Sequence, residues 1–325
     1  MTGMAERSLA GRERVRGARV VTGTTDEGGD GVMGSGPDPA ASLLRPDGTA
    51  PTRVAAFGGI YSNHRALRAA LADARSRGAE AMICLGDLGA FGPNPDRTVE
   101  ILRREGIPVV RGNYDDSIAR GLDDCQCGYT DPRDNHYARI SYDYTLANTS
   151  MENRRWMAGF PGEIRFPLGH LEVHAFHGSP RRMNEFLWET TTPSHFLRGL
   201  ADRSGAHILL GTHTGIHWQR ELGDGRRYVN AGALGRPAND GRREVWYALL
   251  TVDPQGSPAP DRSNGRKGAS GITVEFIPVS YPVDLLADEM RDEGLPEEFI
   301  ETIRTGWWTT CLEVLPGKER ARGRW

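Results

Sequence analysis

Four short stretches of this chain each set a polar side chain directly after an apolar run. In "MICLGDLG" it is Asp87, in "IPVVRGNYDD" Asn113, in "VHAFHGSP" His177 and in "ILLGTHTGIHW" His213. One carboxylate, one amide and two imidazoles make a mixed oxygen and nitrogen donor set that suits a divalent cation. Short apolar runs of this kind read as strands, and open α/β sheets place their ligands beyond strand C-termini. Taken singly, each residue has an ordinary reading: Asp87 or Asn113 as a turn former, His177 as a hydrogen-bonded structural histidine. The ordered combination, with glycine beside the first three, is what carries the metal reading.

Elements that could position these groups alternate along the chain. The pattern predicts strands over 54–58, 81–85 and 108–110, with helices over 63–77 and 95–105 between them. A helix over 151–160 is followed by strands near 163–167, 171–176, 207–211, 227–229, 245–251 and 272–278, with a helix at 194–203. Helices near 283–291 and 296–305 close the pattern. Short β-rich runs separated by helical periodicity predict an α/β domain with a layered sheet. Residues 1–52, with "TTDEGGDGVMGSGPDPA" at their centre, read as a disordered or loosely ordered extension. The main domain spans 53–280 and residues 281–325 form a helical appendage packed on it, "GWW" included. Residues 117–150 are a long polar excursion that should cover the site or an interface. Residues 254–270 read as a turn-rich surface insertion.

Composition narrows the function classes. The 325 residues carry 40 basic and 43 acidic side chains, a net charge of -3 with both signs mixed throughout. That balance favours neither a nucleic-acid surface nor a polybasic membrane surface. No apolar run approaches the roughly 20 residues that span a bilayer, and the first thirty residues lack a hydrophobic signal core. Cytoplasmic residence is the expectation. Four cysteines, Cys84, Cys125, Cys127 and Cys311, do not read as a disulfide framework. The pair in "CQC" reads as structural thiols, since a zinc site normally takes four ligands. Neither a Gly-rich dinucleotide fingerprint nor a Walker A motif is present.

The motifs "GD" at 86–87, "GN" at 112–113 and "HG" at 177–178, with "GAFGPNPD" and "HGSPRRMNEFL" around them, resemble the calcineurin-like metallophosphoesterases, in the branch of compact bacterial phosphodiesterases and phosphatases. The resemblance covers roughly residues 53 to 280. It implies a four-layer α/β-β/α sandwich and two adjacent metal ions, bound through Asp-x-His, Gly-Asp, Gly-Asn-His-Asp, His-Gly and Gly-His-Thr-His motifs. This chain departs from the pattern in one direction. In "VAAFGGIYSNHRAL" the family's first aspartate and histidine fall on Gly59 and Tyr61. In "THTG" the last histidine falls on Gly215. The resemblance assigns Asp87, Asn113, His177 and His213 to one metal, and all four are present. The residues peculiar to the other metal are gone. The expectation is one divalent ion per chain, Mn, Fe, Zn, Co or Ni, with Gly59 and Tyr61 reshaping the vacated half.

Other residues are candidates for supporting roles. Tyr114 follows Asn113 where many family members have a histidine; a phenol with a pKa near 10 could donate a hydrogen bond or a proton but is a poor base at neutral pH. Tyr61 fills the empty half or contacts substrate. His217 is either a rim general acid or plain packing beside Trp218. Arg181 and Arg182, with Arg111, are candidates for binding phosphate oxygens in place of the lost metal, ahead of Arg236 and Arg243. Asp115 and Asp116 could hold a water or supply a further ligand. The function expected is hydrolysis of a phosphate monoester or diester on a small-molecule substrate, with a homodimer compatible with the apolar and aromatic residues of "GWW" and the 117–150 excursion, which could equally cover the core. Two alternatives stand beside it: the same scaffold turned to a different metal-assisted reaction, and a binding or regulatory protein without catalysis.

Overall fold

A computed structural model describes residues 38–223, 225–253 and 271–321. The expected extension is therefore visible only from residue 38, and the 254–270 insertion lies outside the described residues. Residues 38–52 are fastened rather than loose. Leu43 is fully buried among residues of the sheets, and Glu80 accepts hydrogen bonds from the backbone of Thr52 and Arg53.

In chain order the elements are β1 (Arg53–Phe57), α1 (His64–Ser76), β2 (Ala81–Cys84), α2 (Pro95–Glu105), α3 (Asn113–Arg120), α4 (Pro132–Ala147), α5 (Met151–Ala158), β3 (Glu163–Leu168), β4 (Leu171–Phe176), α6 (Ser194–Ser204), β5 (Ile208–Gly211), β6 (His217–Glu221), β7 (Arg227–Ala231), β8 (Val245–Val252), β9 (Ile272–Val279), α7 (Val283–Asp292) and α8 (Glu297–Thr305). Among the described residues the strands form two sheets, one in the order β2-β1-β8-β9 and the other β3-β4-β5-β7-β6.

Period-two side-chain alternation explains how the sheets stack. In β1, Val54 and Ala56 face the opposite sheet, where they meet Ile208, Leu210 and Val229, while Ala55 and Phe57 face helices α1 and α2. A strand buried on both faces reads as a continuous apolar run, which is what "VAAF" is. On the far side of the second sheet, Leu209, Phe176 and Tyr228 pack against Leu197 and Leu200 of α6. The result is four layers, helix, sheet, sheet, helix, as the resemblance implied. Helices α7 and α8 join the helical layer over the first sheet through Leu286, Met290, Phe299 and Ile300.

The excursion at 117–150 is mostly helix. Asp131 caps α4 by accepting from the backbone of Arg133 and Asp134, and Pro132 occupies its first turn. The apolar pattern hid this helix because its buried face is largely polar: Asp134, Ser141 and Thr145 beside Ala138 and Tyr142. Strand β6, a polar edge strand with only Trp218 buried, was equally silent. The expected strand at 108–110 is reduced to a single bridge between Cys84 and Val109. Among the described residues no helix is long and apolar enough to cross a membrane.

Candidate metal centre

The parallel pairs β1–β2 and β4–β5 aim their C-terminal ends at the same region. Asp87 follows β2, His177 follows β4 and His213 follows β5. One ligand atom from each of these three lies within 4.8 Å of the other two, and all three residues are buried. His177 Nε2 stands 3.2 Å from Asp87 Oδ2 and 3.0 Å from His213 Nδ1. The other nitrogen of His177 lies 2.7 Å from the Leu85 carbonyl. A proton on Nδ1 donated to that carbonyl leaves Nε2 free as a ligand, the usual way in which a backbone acceptor sets a ligating tautomer. The Phe186 ring, with its centroid 4.2 Å from that of His213, holds the second imidazole in place.

Asn113 begins α3 and lines one pocket with Asp87 and His213. Its Nδ2 donates to the Cys125 carbonyl at 2.7 Å, while its Oδ1 is buried with no hydrogen-bond partner. A buried carbonyl oxygen is seldom left unpaired. This one fits a cation beside Asp87, so the residues present suit a divalent metal. Asp115 ties the two ligand loops together, accepting from the backbone of Gly112, Asp87 and Leu88 at 2.9–3.0 Å. Asp87 in turn accepts from the backbone of Tyr114 at 3.0 Å. The close approach of these loops requires Gly112, where a Cβ would stand 2.4 Å from Asp87 Oδ1. Both Asp87 and His213 have positive φ, 56° and 72°, a conformation that non-glycine residues keep where surrounding structure enforces it.

The charges in this cluster are mutually adjusted. Burial works against ionising Asp87, but His177 and His213 outweigh it and hold the carboxyl below its ordinary range. Burial likewise disfavours charge on His177, yet Asp87 raises it above a free histidine. His213 is pushed down to about 3 by burial and by the His177 charge. Burial, with the Asp87 charge behind it, lifts Asp115 to about 7.

The positions expected to be vacated are filled by other side chains. A Cβ on Gly59 would lie 2.6 Å from Cε1 of Tyr61, so the tyrosine ring occupies the space an aspartate would need. A Cβ on Gly215 would lie 2.9 Å from Trp308. The Tyr61 phenol, buried and close to Asp87, is held well above its ordinary pKa and stays protonated. It lines a pocket with Asp87, Asn113, His213, Phe186 and Cys311.

The supporting candidates are scattered. Tyr114 lines the same pocket, with its hydroxyl bonded to Ser141 at 3.0 Å. Arg181 and Arg182 are exposed; Arg181 pairs with Glu185 at 3.5 Å and lies over Phe196. His217 sits in β6 with its ring 4.6 Å from both Trp246 and Phe276. None of these three is among the pocket-lining side chains. Arg111 and Arg120 both face Asp116. The reading of "CQC" as unpaired thiols is corrected: Cys125 and Cys127 form a disulfide. The Cα atoms stand 5.3 Å apart across a left-handed backbone at Gln126, within the usual reach of a disulfide. Trp308 and Cys311, from the tail, were absent from the expected site. They arrive there because Asp134 accepts from the backbone of Cys311 and Glu313, clamping the tail onto α4.

Comparison with known proteins agrees with this architecture. The chain is 29% identical over 264 residues to an uncharacterized protein of Methanocaldococcus jannaschii, an alignment covering 78% of this chain and 98% of that protein. A metallophosphoesterase from Sphaerobacter thermophilus superposes with a TM-score of 0.56 at 23% identity, covering 78% of this chain and 99% of the other. A hypothetical protein from Pyrococcus horikoshii superposes with a TM-score of 0.62 at 22% identity, covering 79% and 99%. Residues 53–255 match the calcineurin-like phosphoesterase superfamily domain, and with the layered fold and the convergence of Asp87, His177 and His213 they place this chain in that superfamily of metal-dependent phosphoester hydrolases.

Proposed function

We propose that the chain hydrolyses a phosphate monoester or diester of a small molecule with a single divalent cation, held by Asp87, Asn113, His177 and His213. The observation that carries this reading is the asymmetry of the site. Three ligand atoms converge, and Asn113, with its Oδ1 unpaired, lines one pocket with Asp87 and His213, whereas the spaces at Gly59 and Gly215 are taken by Tyr61 and Trp308. When bound, such a cation supplies Lewis acidity toward a phosphoryl oxygen and lowers the pKa of coordinated water. The donor set suits Mn, Fe, Zn, Co or Ni.

The protein's own groups do the rest. His177 is oriented by Leu85, and Asp87 by the Tyr114 backbone. The protonated Tyr61 hydroxyl serves as a hydrogen-bond donor to an anionic oxygen in the pocket. Tyr114, anchored to Ser141, shapes the wall. Arg181 and Arg182 act at most by drawing an anion toward the site, since both are exposed. His217 takes no part in this reading, because Trp246 and Phe276 flank its ring.

The test has two stages. Elemental analysis of protein purified without a metal-affinity tag should find about one metal per chain, lost in His213→Ala. The loaded protein should then turn over p-nitrophenyl phosphate or bis-p-nitrophenyl phosphate with Mn or another divalent ion. Metal binding with both esters untouched would favour a scaffold turned to another metal-assisted reaction. No metal after reconstitution would favour a binding protein.

A further inference from the structure

We propose that Arg236 is a fixed cation standing in for the second metal ion, and that Tyr61 is the donor through which the pocket beside it meets an anionic phosphoryl oxygen. Arg236 is 5% exposed. Its guanidinium is sandwiched 4.0 Å from the Trp308 ring centroid and 4.6 Å from that of Phe91. Of its five N–H donors, the described residues offer one acceptor, the Thr310 carbonyl at 2.8 Å. Among the described residues no carboxylate lies within ion-pair distance. Asp134 acts on it only from farther off, with its own oxygens engaged by the backbone of Cys311 and Glu313. A buried charge without a counter-ion is strongly unfavourable, and the aromatic sandwich offsets only part of that.

The location explains the retention. Trp308, stacked on Arg236, is the ring that fills the space at Gly215. Phe91, on its other face, and Tyr61 both line the metal pocket and the small apolar cavity that Arg236 borders. Arg236 thus stands behind the wall of the vacated half-site. Gly59 removes one carboxylate together with one divalent cation, a net loss of one positive charge, and one guanidinium restores it. The Tyr61 hydroxyl has no hydrogen-bond partner among the described residues. Arg236 is in these terms a positioning residue, acting on the bound anion through the field it sets in the pocket.

The identity of the anion rests on the hydrolase reading, so the experiment measures binding and not turnover. Mn(II) and orthophosphate are titrated separately and together into wild type, Arg236→Met, Arg236→Lys and Tyr61→Phe, with thermal melts alongside. Arg236→Met should weaken orthophosphate binding by about tenfold while Mn(II) binds as tightly or more tightly, because a nearby positive charge has been removed. Arg236→Lys should restore most of the phosphate affinity, and Tyr61→Phe should weaken phosphate alone. Unchanged phosphate affinity in Arg236→Met or in Tyr61→Phe overturns the proposal. So does loss of both ligands together with a lower melting temperature in Arg236→Met, the mark of a merely structural arginine. If wild type takes up no Mn(II), the hydrolase reading fails. The titration without metal then still decides, since Arg236-dependent phosphate binding sustains the anion site and its absence overturns it.

Discussion

The Tyr61 ring lies where a side chain on Gly59 would go: a Cβ at position 59 would be 2.6 Å from Tyr61 Cε1 and 2.7 Å from Cζ. The two substitutions at the first motif are therefore one structural event. Gly59 makes room and Tyr61 takes it, while Trp308 does the same for Gly215 from the other end of the chain. The space beside Gly59 and Gly215 is a packed aromatic wall and not an empty socket.

Restoring the aspartate alone should fail. Gly59→Asp forces the Tyr61 ring out of its buried position and should destabilise the fold by about 1–3 kcal/mol, the usual range for overpacking. Adding Tyr61→His should recover much of that loss in urea denaturation. The double variant should still bind about one metal by elemental analysis, because Trp308 continues to block position 215. Two metals per chain would show that the second half can reopen unaided.

The ligands should differ in weight. His213→Ala should abolish stoichiometric metal binding, and Asn113→Ala should weaken it by more than about tenfold, given what even outer partners of a metal contribute. Competition titration with a chromophoric chelator measures both. An Asn113→Ala protein with wild-type affinity would remove the amide from the ligand set.

Acidity should act on the metal-free protein from two sides. His177 has a raised pKa in the folded state, so its contribution is fully present below the ordinary histidine value of about 6.5 and is lost as pH rises through the raised pKa. His213, pushed down to about 3, binds its proton more readily when unfolded, so stability falls as pH drops below about 6.5. Asp115, raised to about 7, gives stability that is lost as pH rises from about 4 and so offsets the His213 gain; the three groups together predict a plateau up to about pH 6.5 and a fall above it in urea titrations. Metal binding must displace the His177 Nε2 proton. Affinity should accordingly fall by about tenfold per pH unit below the raised pKa and level off above it. Calorimetry in buffers of different ionisation enthalpy would register the released proton.

Trp308 should matter far more than its place in a tail suggests. It is buried, donates from its indole nitrogen to the Pro237 carbonyl at 2.7 Å and stacks on Arg236. Trp308→Ala should cost about 3–5 kcal/mol in urea unfolding, as for other large aromatic truncations. A loss under about 1 kcal/mol, within the usual range for surface substitutions, would mean that the tail is only loosely seated.

Much of the architecture was legible because periodicity and burial coincide. Strands such as "VAAF" and "ILLG" are buried on both faces, and helices such as α2 alternate apolar and charged residues in step with 3.6 residues per turn. Where a buried face is polar, that correspondence breaks. Helix α4 meets the core through Ser141 and Thr145, which hydrogen-bond the backbone of Phe91 and Ala90, so no apolar stripe announces it. Strand β6 lies at a sheet edge and buries one ring.

Residue type and local order pointed to Asp87, His177 and His213, which the fold brings together, because each follows its own strand and strand ends are a property of nearby sequence. The departures at Gly59, Tyr61 and Gly215 were visible only against the family motifs that the chain resembles. What occupies those losses is a question of contacts between residues far apart in the chain. Trp308 reaches Gly215, Arg236 is stacked between Phe91 and Trp308, and Asp134 clamps the tail. Close packing in three dimensions settles such matters, since a vacated volume is filled by whichever side chain folding brings to it, and no local pattern records which one that is.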